Sequence, residues 1–168
     1  MAIIIKGRTP CAICRDLDLS RPFIATAGVA FPEGHDLFPY CDAPIHLACL
    51  AAWPHRERFS RGYYAMWKAS IARGWPTLLA EGPRWMLDCG PSGPGGPPAF
   101  VEVRLADWPV VLHARWEEWP AYVRGAFRAG LAGEALVAAE AAMQEACAIA
   151  DGTDRLAELH RRALAGSR

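Results

Sequence analysis

The chain contains no asparagine, only two lysines against sixteen arginines, and no run approaching the ~20 apolar residues that a membrane-crossing helix needs. No membrane partner is therefore expected. The opening Met-Ala-Ile-Ile-Ile-Lys is too short an apolar run for an export signal and has no basic flank before it. Charge bias is missing too: 18 Lys/Arg balance 18 Asp/Glu. Residues 1–80 carry nine cations against six acids, and 81–168 carry nine against twelve, so neither half is a polyelectrolyte. That argues against a binder of phosphate backbones, which advertises itself by a strong basic excess. The Arg-for-Lys usage and the abundance of alanine suggest a GC-rich, bacterial coding sequence.

Apolar material is not lacking. The AVILMFWYC group makes up 52% of 168 residues, enough for one domain, or for a small metal module fused to one further unit. The six cysteines would allow three disulfides. Without an export signal, a cytoplasmic location and metal-binding cysteines are expected instead.

Two pairs stand out: Cys11-Ala12-Ile13-Cys14, and His46-Leu47-Ala48-Cys49 some thirty residues later. Two residues between the members let both side chains of a pair reach one tetrahedral ion, the way structural zinc is held. The predicted ligand set is Cys11, Cys14, His46 and Cys49, holding one structural Zn2+. With four protein ligands no coordination position is left for water, which disfavours catalysis at the metal. A finger of about fifty residues buries too little surface to be stable alone, so the ion would act as a staple.

Taken in order, Ala2–Ile5 is a candidate strand, Cys11–Cys14 a knuckle, and 23–38 a hairpin or a pair of short strands. Asp42 or Ala43 is a candidate N-cap, with Pro44 in the first helical turn and His46 and Cys49 on one helix face. Pro54 interrupts. A second helix is predicted over 55–73, with Phe59, Tyr63, Met66/Trp67 and Ser70/Ile71 as its apolar stripe and Arg56, Arg58, Arg61, Lys68 and Arg73 on its outer surface. Strands are predicted at 84–89, 100–105 and 110–116. The low-complexity Pro/Gly loop 90–98 joins the first two. Helices follow over 117–128, 134–150 and from Thr153, with Leu136, Met143, Cys147, Leu156, Leu159 and Leu164 facing inward.

The order of knuckle, hairpin and helix is that of a treble-clef zinc finger. Cys41-x4-His46-x2-Cys49-Leu50 resembles the middle of PHD, RING and LIM-type fingers, where His-x2-Cys completes a site opened by an upstream Cys-x2-Cys. Those families add a second site on further Cys pairs. Here the next cysteine after Cys49 is Cys89, alone. The resemblance covers 9–53 and implies one metal site, without ubiquitin-ligase or histone-reading activity. His46–Phe59 is also similar to a module in small bacterial proteins that open on Cys-x2-Cys.

Other residues have plainer roles. Cys41 either replaces a ligand or packs beside the finger. Cys89 and Cys147 are single cysteines of the core type, and His35, His55, His113 and His160 have no evident partners. Some treble-clef units are HNH nucleases, which pair a catalytic His with a second metal-binding residue and add an Asn or His on the helix. His35-Asp36 is the only candidate pair and asparagine is absent, so a metal-dependent nuclease is the weakest alternative. Glu117 and Glu118 are adjacent on a helix and diverge. The seven tryptophans either join finger to sheet or include interface anchors.

The expected fold is α+β: a treble-clef finger over 1–54, then a unit over 55–168 with a long amphipathic helix, a small antiparallel sheet of about three strands and a C-terminal helical hairpin. The expected function is a zinc-stabilised, non-catalytic adaptor or accessory protein whose partner is another protein. An immunity or antitoxin-like protein that binds a cognate toxin, and a nucleic-acid binder using the basic helix 55–73, are the alternatives.

Overall fold

The chain pivots at Pro44-Ile45-His46, three buried residues that form strand β2. They pair antiparallel with β1, Phe23–Ala25, in the register Phe23↔His46, Ile24↔Ile45 and Ala25↔Pro44. Helix α1, Leu47–Ala52, starts directly after, with His46 as its N-cap. The computed structural model describes residues 3–5, 7–91 and 96–166.

This corrects the expected helix start. Pro44 sits in a strand, and neither Asp42 nor Ala43 caps a helix; His46 precedes the helix that carries Cys49. Pairing with β1 claims residues 44–46, and the Pro44 carbonyl accepts from the Ala12 N–H at 2.9 Å, tying the knuckle to the strand. The hairpin expected over 23–38 is also absent. Its first residues pair with β2, and the remainder is loop closed by a 3-10 turn at Phe38–Tyr40. The strand expected at Ala2–Ile5 falls partly on Ala2, outside the described residues. Ile3–Ile5 forms no strand: Ile3 and Ile5 are 82% and 50% exposed, and Ile4 is half-buried.

Helix α2, Arg56–Ala72, follows the expected stripe. Trp53, Phe59, Tyr63 and Trp67 form a ladder of rings with centroids 5.4, 5.0 and 5.7 Å apart. The helix stops ahead of Gly74, whose φ of +89° suits the left-handed position after a helix end.

The main sheet is a four-stranded antiparallel meander: β3 Thr77–Glu81, β4 Trp85–Cys89, β5 Phe100–Leu105 and β6 Val111–Arg115, in that order. Three strands were expected at nearly these places; β3 is the addition. Its Thr-Leu-Leu-Ala-Glu does not alternate, and its ladder shifts register between Leu78 and Ala80. One face of the sheet presents Val101, Val103 and Leu105 towards helix α4, Gly133–Ile149. The other meets α2, where Arg104 lies over the Trp67 ring at 5.2 Å. With both faces covered, β4 is buried along its whole length, Asp88 included.

The helix expected over 117–128 is broken. A 3-10 turn at Trp116–Glu118 leads into α3, Trp119–Val123, which ends before Gly125 at φ +124°. Helix α4 buries Ala135, Ala139, Ala142, Met143 and Ala146, whereas Leu136 and Cys147 are only half-buried. Helix α5, Thr153–Gly166, buries Leu156 and leaves Leu164 49% exposed. Trp119 donates its indole N–H to the Ala150 carbonyl at 2.8 Å, which fixes the turn between α4 and α5. The fold is α+β, with five α-helices, one two-stranded and one four-stranded antiparallel sheet among the described residues. None of these helices is long and apolar enough to cross a membrane.

Candidate metal centre

Cys11, Cys14, His46 and Cys49 converge: one ligand atom from each lies within 4.8 Å of the others. The knuckle supplies two. Its turn closes through the Arg15 N–H to the Cys11 carbonyl at 2.9 Å, with Arg15 in the left-handed region at φ 65°, and the Cys11 N–H donates to the Asp16 carbonyl at 2.9 Å. His46 comes from the end of β2 and Cys49 from the first turn of α1. Cys11 is buried and Cys14 exposed, so the cluster lies at the surface with one wall in the core.

His46 Nδ1 lies 3.5 Å from Cys14 Sγ and 3.9 Å from Cys49 Sγ. Zn–S bonds of ~2.3 Å and Zn–N bonds of ~2.0 Å in a tetrahedron give edges of roughly 3.5–3.8 Å. The spacing is thus compatible with zinc. On the other side of the ring, Nε2 is 2.9 Å from the Asp18 carbonyl oxygen. A carbonyl only accepts, so Nε2 carries the proton and Nδ1 turns its lone pair to the thiols. A hydrogen bond of this kind is how metal-binding histidines are oriented. The Asp18 loop is itself held by Asp16 and Asp18, whose carboxylates accept from the N–H groups of Asp18 and Ser20 at 2.9 and 3.0 Å.

The thiols do not share one electrostatic environment. Burial pushes Cys11 up, but the N–H groups of Cys14, His46 and Ile13 outweigh it and hold the thiol below its ordinary value. Burial, together with the Cys14 and Cys11 sulfurs, pushes Cys49 up to about 12. Three thiolates side by side repel one another, and a divalent cation among them reverses that conflict. This donor set can hold a metal ion with all four positions filled by the protein.

Cys41 is not part of the cluster; its thiol donates towards the Leu37 carbonyl at 3.9 Å. Cys89 is fully buried, and burial pushes its thiol up to about 12. Cys147 is half-buried and also raised by burial. His35 accepts from the Leu37 N–H at 3.1 Å and stacks on Phe31, while the Asp36 carboxylate pairs with Arg58. His55 meets the edge of Trp53, and His160, lowered by burial, that of Trp116. Glu117 and Glu118 are exposed.

The basic surface of α2 is largely neutralised. Arg56 pairs with Glu134 at 2.7 Å and lies over the Trp108 ring, Arg58 pairs with Asp36, Arg61 with Glu57, and Lys68 with Glu81 at 2.8 Å. Arg73 donates to Ser70 Oγ. Five of the seven tryptophans are buried, and Trp75 is 57% exposed.

A second polar cluster has no counterpart in the sequence reading. Buried Asp88 accepts two bonds from Arg104, from Nε at 2.5 Å and Nη2 at 3.1 Å. Arg104 also binds Glu102, and Glu102 Oε1 is 2.9 Å from His113 Nδ1. Burial pushes the Asp88 carboxyl up to about 6; Arg104 pulls it partly back, and Glu102 adds to the rise. An acid inside the apolar run Trp-Met-Leu-Asp-Cys was the signal available. Compared with protein-family models, with curated proteins and with solved structures, the chain matches none.

Proposed function

We propose that this chain is a zinc-stapled, non-catalytic adaptor or accessory protein whose N-terminal finger is of treble-clef type and whose partner is another protein. The observation that carries the reading is the closed four-donor cluster of Cys11, Cys14, His46 and Cys49. Three sulfurs and one imidazole suit zinc, and a filled coordination shell serves structure rather than turnover. Knuckle, two-stranded sheet and short helix in that order support the treble-clef assignment.

The ion pairs along α2 support a protein partner over a nucleic acid, because cations already matched by carboxylates release fewer counterions from a phosphate backbone. A groove of about 450 Å³ beside α4, with apolar Val137 and Ala138 framed by the Arg84–Asp107 and Arg56–Glu134 pairs, is a surface of the mixed kind that protein interfaces use. Val137 is 66% exposed there.

Two measurements test the reading. Metal analysis of purified protein is expected to find one zinc per chain. A tagged chain is expected to retain a stoichiometric protein partner after nuclease treatment. Binding to nucleic acid that weakens steeply with salt, and vanishes in Arg58→Glu/Arg61→Glu, would overturn the adaptor reading and favour the nucleic-acid one.

A further inference from the structure

Away from the thiol cluster, a groove of about 740 Å³ opens between β1, the end of α2, strands β5 and β6, and the segment 122–131. Its walls are largely apolar and include six aromatic rings: Phe23, Trp67, Trp75, Phe100, Tyr122 and Phe127. Trp75 leaves more than half its surface in water, at 57%. The volume falls in the range of small-molecule sites, and such sites pair apolar walls with a few converging polar groups.

Those groups are Glu102 and Arg104, the charged side chains that line the groove among the described residues. Arg104 is shared: it pairs with Glu102 Oε2, while Glu102 Oε1 meets His113 Nδ1 at 2.9 Å. Arg104 gives two bonds to Asp88, which lies fully buried beneath it, and its Cζ lies 5.2 Å from the centre of the Trp67 ring. Two carboxylates therefore face one guanidinium. At about pH 8, two ionised carboxylates against one guanidinium give this trio one net negative charge. Glu102 and Arg104 both reach the groove, at 15% and 10% side-chain exposure. Asp88 draws on Arg104 from below, so the excess negative charge falls to Glu102, where low polarisability strengthens its field.

Aromatic faces attract cations, and a carboxylate among them completes a cation site. We infer that this groove binds a small organic cation with an apolar body, an arylalkyl amine by class. Its ammonium group sits at Glu102 and its body lies against Trp75 and Phe100. The site is separate from the metal centre and does not depend on the adaptor reading.

Three probes that share a phenylethyl body test this on the metal-loaded chain: 2-phenylethylamine, 2-phenylethanol and 3-phenylpropionate. Titrations by calorimetry and ligand-observed NMR run at about pH 8, where an ordinary imidazole is neutral and carboxylates are charged. The amine is expected to bind about tenfold tighter than the alcohol, with the carboxylate weakest. Trp75→Ala, at an exposed position, should weaken the amine by about fivefold and leave the melting temperature unchanged. Glu102→Gln should abolish the preference for amine over alcohol. A carboxylate that binds best would make Arg104 the recognition group and overturn the proposal. Equal affinities for the three probes, or no amine binding up to about 10 mM, would overturn it as well. Should Glu102→Gln fail to fold, the probe ranking and Trp75→Ala decide the matter.

Discussion

His46 and Asp18 are joined by a 2.9 Å hydrogen bond from the ring Nε2–H to the main-chain carbonyl. Through that bond a residue four positions past the knuckle decides which imidazole nitrogen meets the three thiols. It also places the ring, since Nδ1 can lie 3.5 Å from Cys14 Sγ only while Nε2 points to the Asp18 loop.

Removing the ion should undo the N-terminal third of the chain. Structural zinc contributes on the order of 10–16 kcal/mol of apparent free energy, against a total of about 5–15 kcal/mol for an ordinary domain. Strong chelation, or Cys14→Ser or Cys49→Ser, is expected to lower the thermal midpoint sharply, as followed by circular dichroism. Cys41→Ser is expected to keep one zinc per chain. Unchanged melting of Cys14→Ser and Cys49→Ser would leave the staple without support.

Arg15 holds φ 65° without glycine's freedom. A left-handed residue with a side chain costs roughly 1–2 kcal/mol, and glycine returns about half of that through its unfolded-state entropy. Arg15→Gly is expected to stabilise the metal-loaded protein by about 0.5–1 kcal/mol, and Arg15→Val to destabilise it, because a β-branched side chain tolerates this region worst. Urea unfolding of the pair measures both. The reverse order would mean that the knuckle is not closed as described.

Asp88 should impose a pH dependence of unusual sign. Its carboxyl titrates at about 6 in the folded chain, against about 4 unfolded. Between these values the folded state binds the proton that the unfolded state has lost, so stability falls as pH rises from about 4 through 6. The contribution of the neutral carboxyl is fully present below about pH 4, and its loss amounts to on the order of 2–3 kcal/mol. NMR titration of the Asp88 carboxyl carbon is expected to show a midpoint near 6. Subtracting the stability profile of Asp88→Asn from that of the parent should isolate the slope. A midpoint below 4 would refute it.

Gly62 reverses a common expectation. Replacing glycine by alanine inside a helix ordinarily stabilises by about 1 kcal/mol. Here an added Cβ would lie 2.2 Å from Phe31 Cζ, in a ring stacked on both His35 and Phe59. Gly62→Ala is expected to destabilise by about 1–3 kcal/mol, as overpacking does. A higher melting temperature would show that Phe31 moves aside freely.

Much of this protein was written locally. The spacing of Cys11/Cys14 and His46/Cys49 marked out the cluster, because two intervening residues constrain a turn whatever surrounds it. The stripe through Phe59, Tyr63 and Trp67 marked α2, and the alternation of Val101, Val103 and Leu105 marked β5. Long-range pairing decided the rest. Pro44 had the local character of a helix start, yet β1 drew residues 44–46 into a sheet and set His46 just ahead of the helix, where its Nδ1 meets the thiols. β3 lacked an alternating pattern because its neighbours, and not its own sequence, make it a strand. The Asp88–Arg104–Glu102 cluster needed three residues from adjacent strands brought together under Trp67. Periodicity can say which face a side chain takes, but a buried charge survives only where the folded chain supplies its counter-charge, and that partner is chosen by tertiary structure alone.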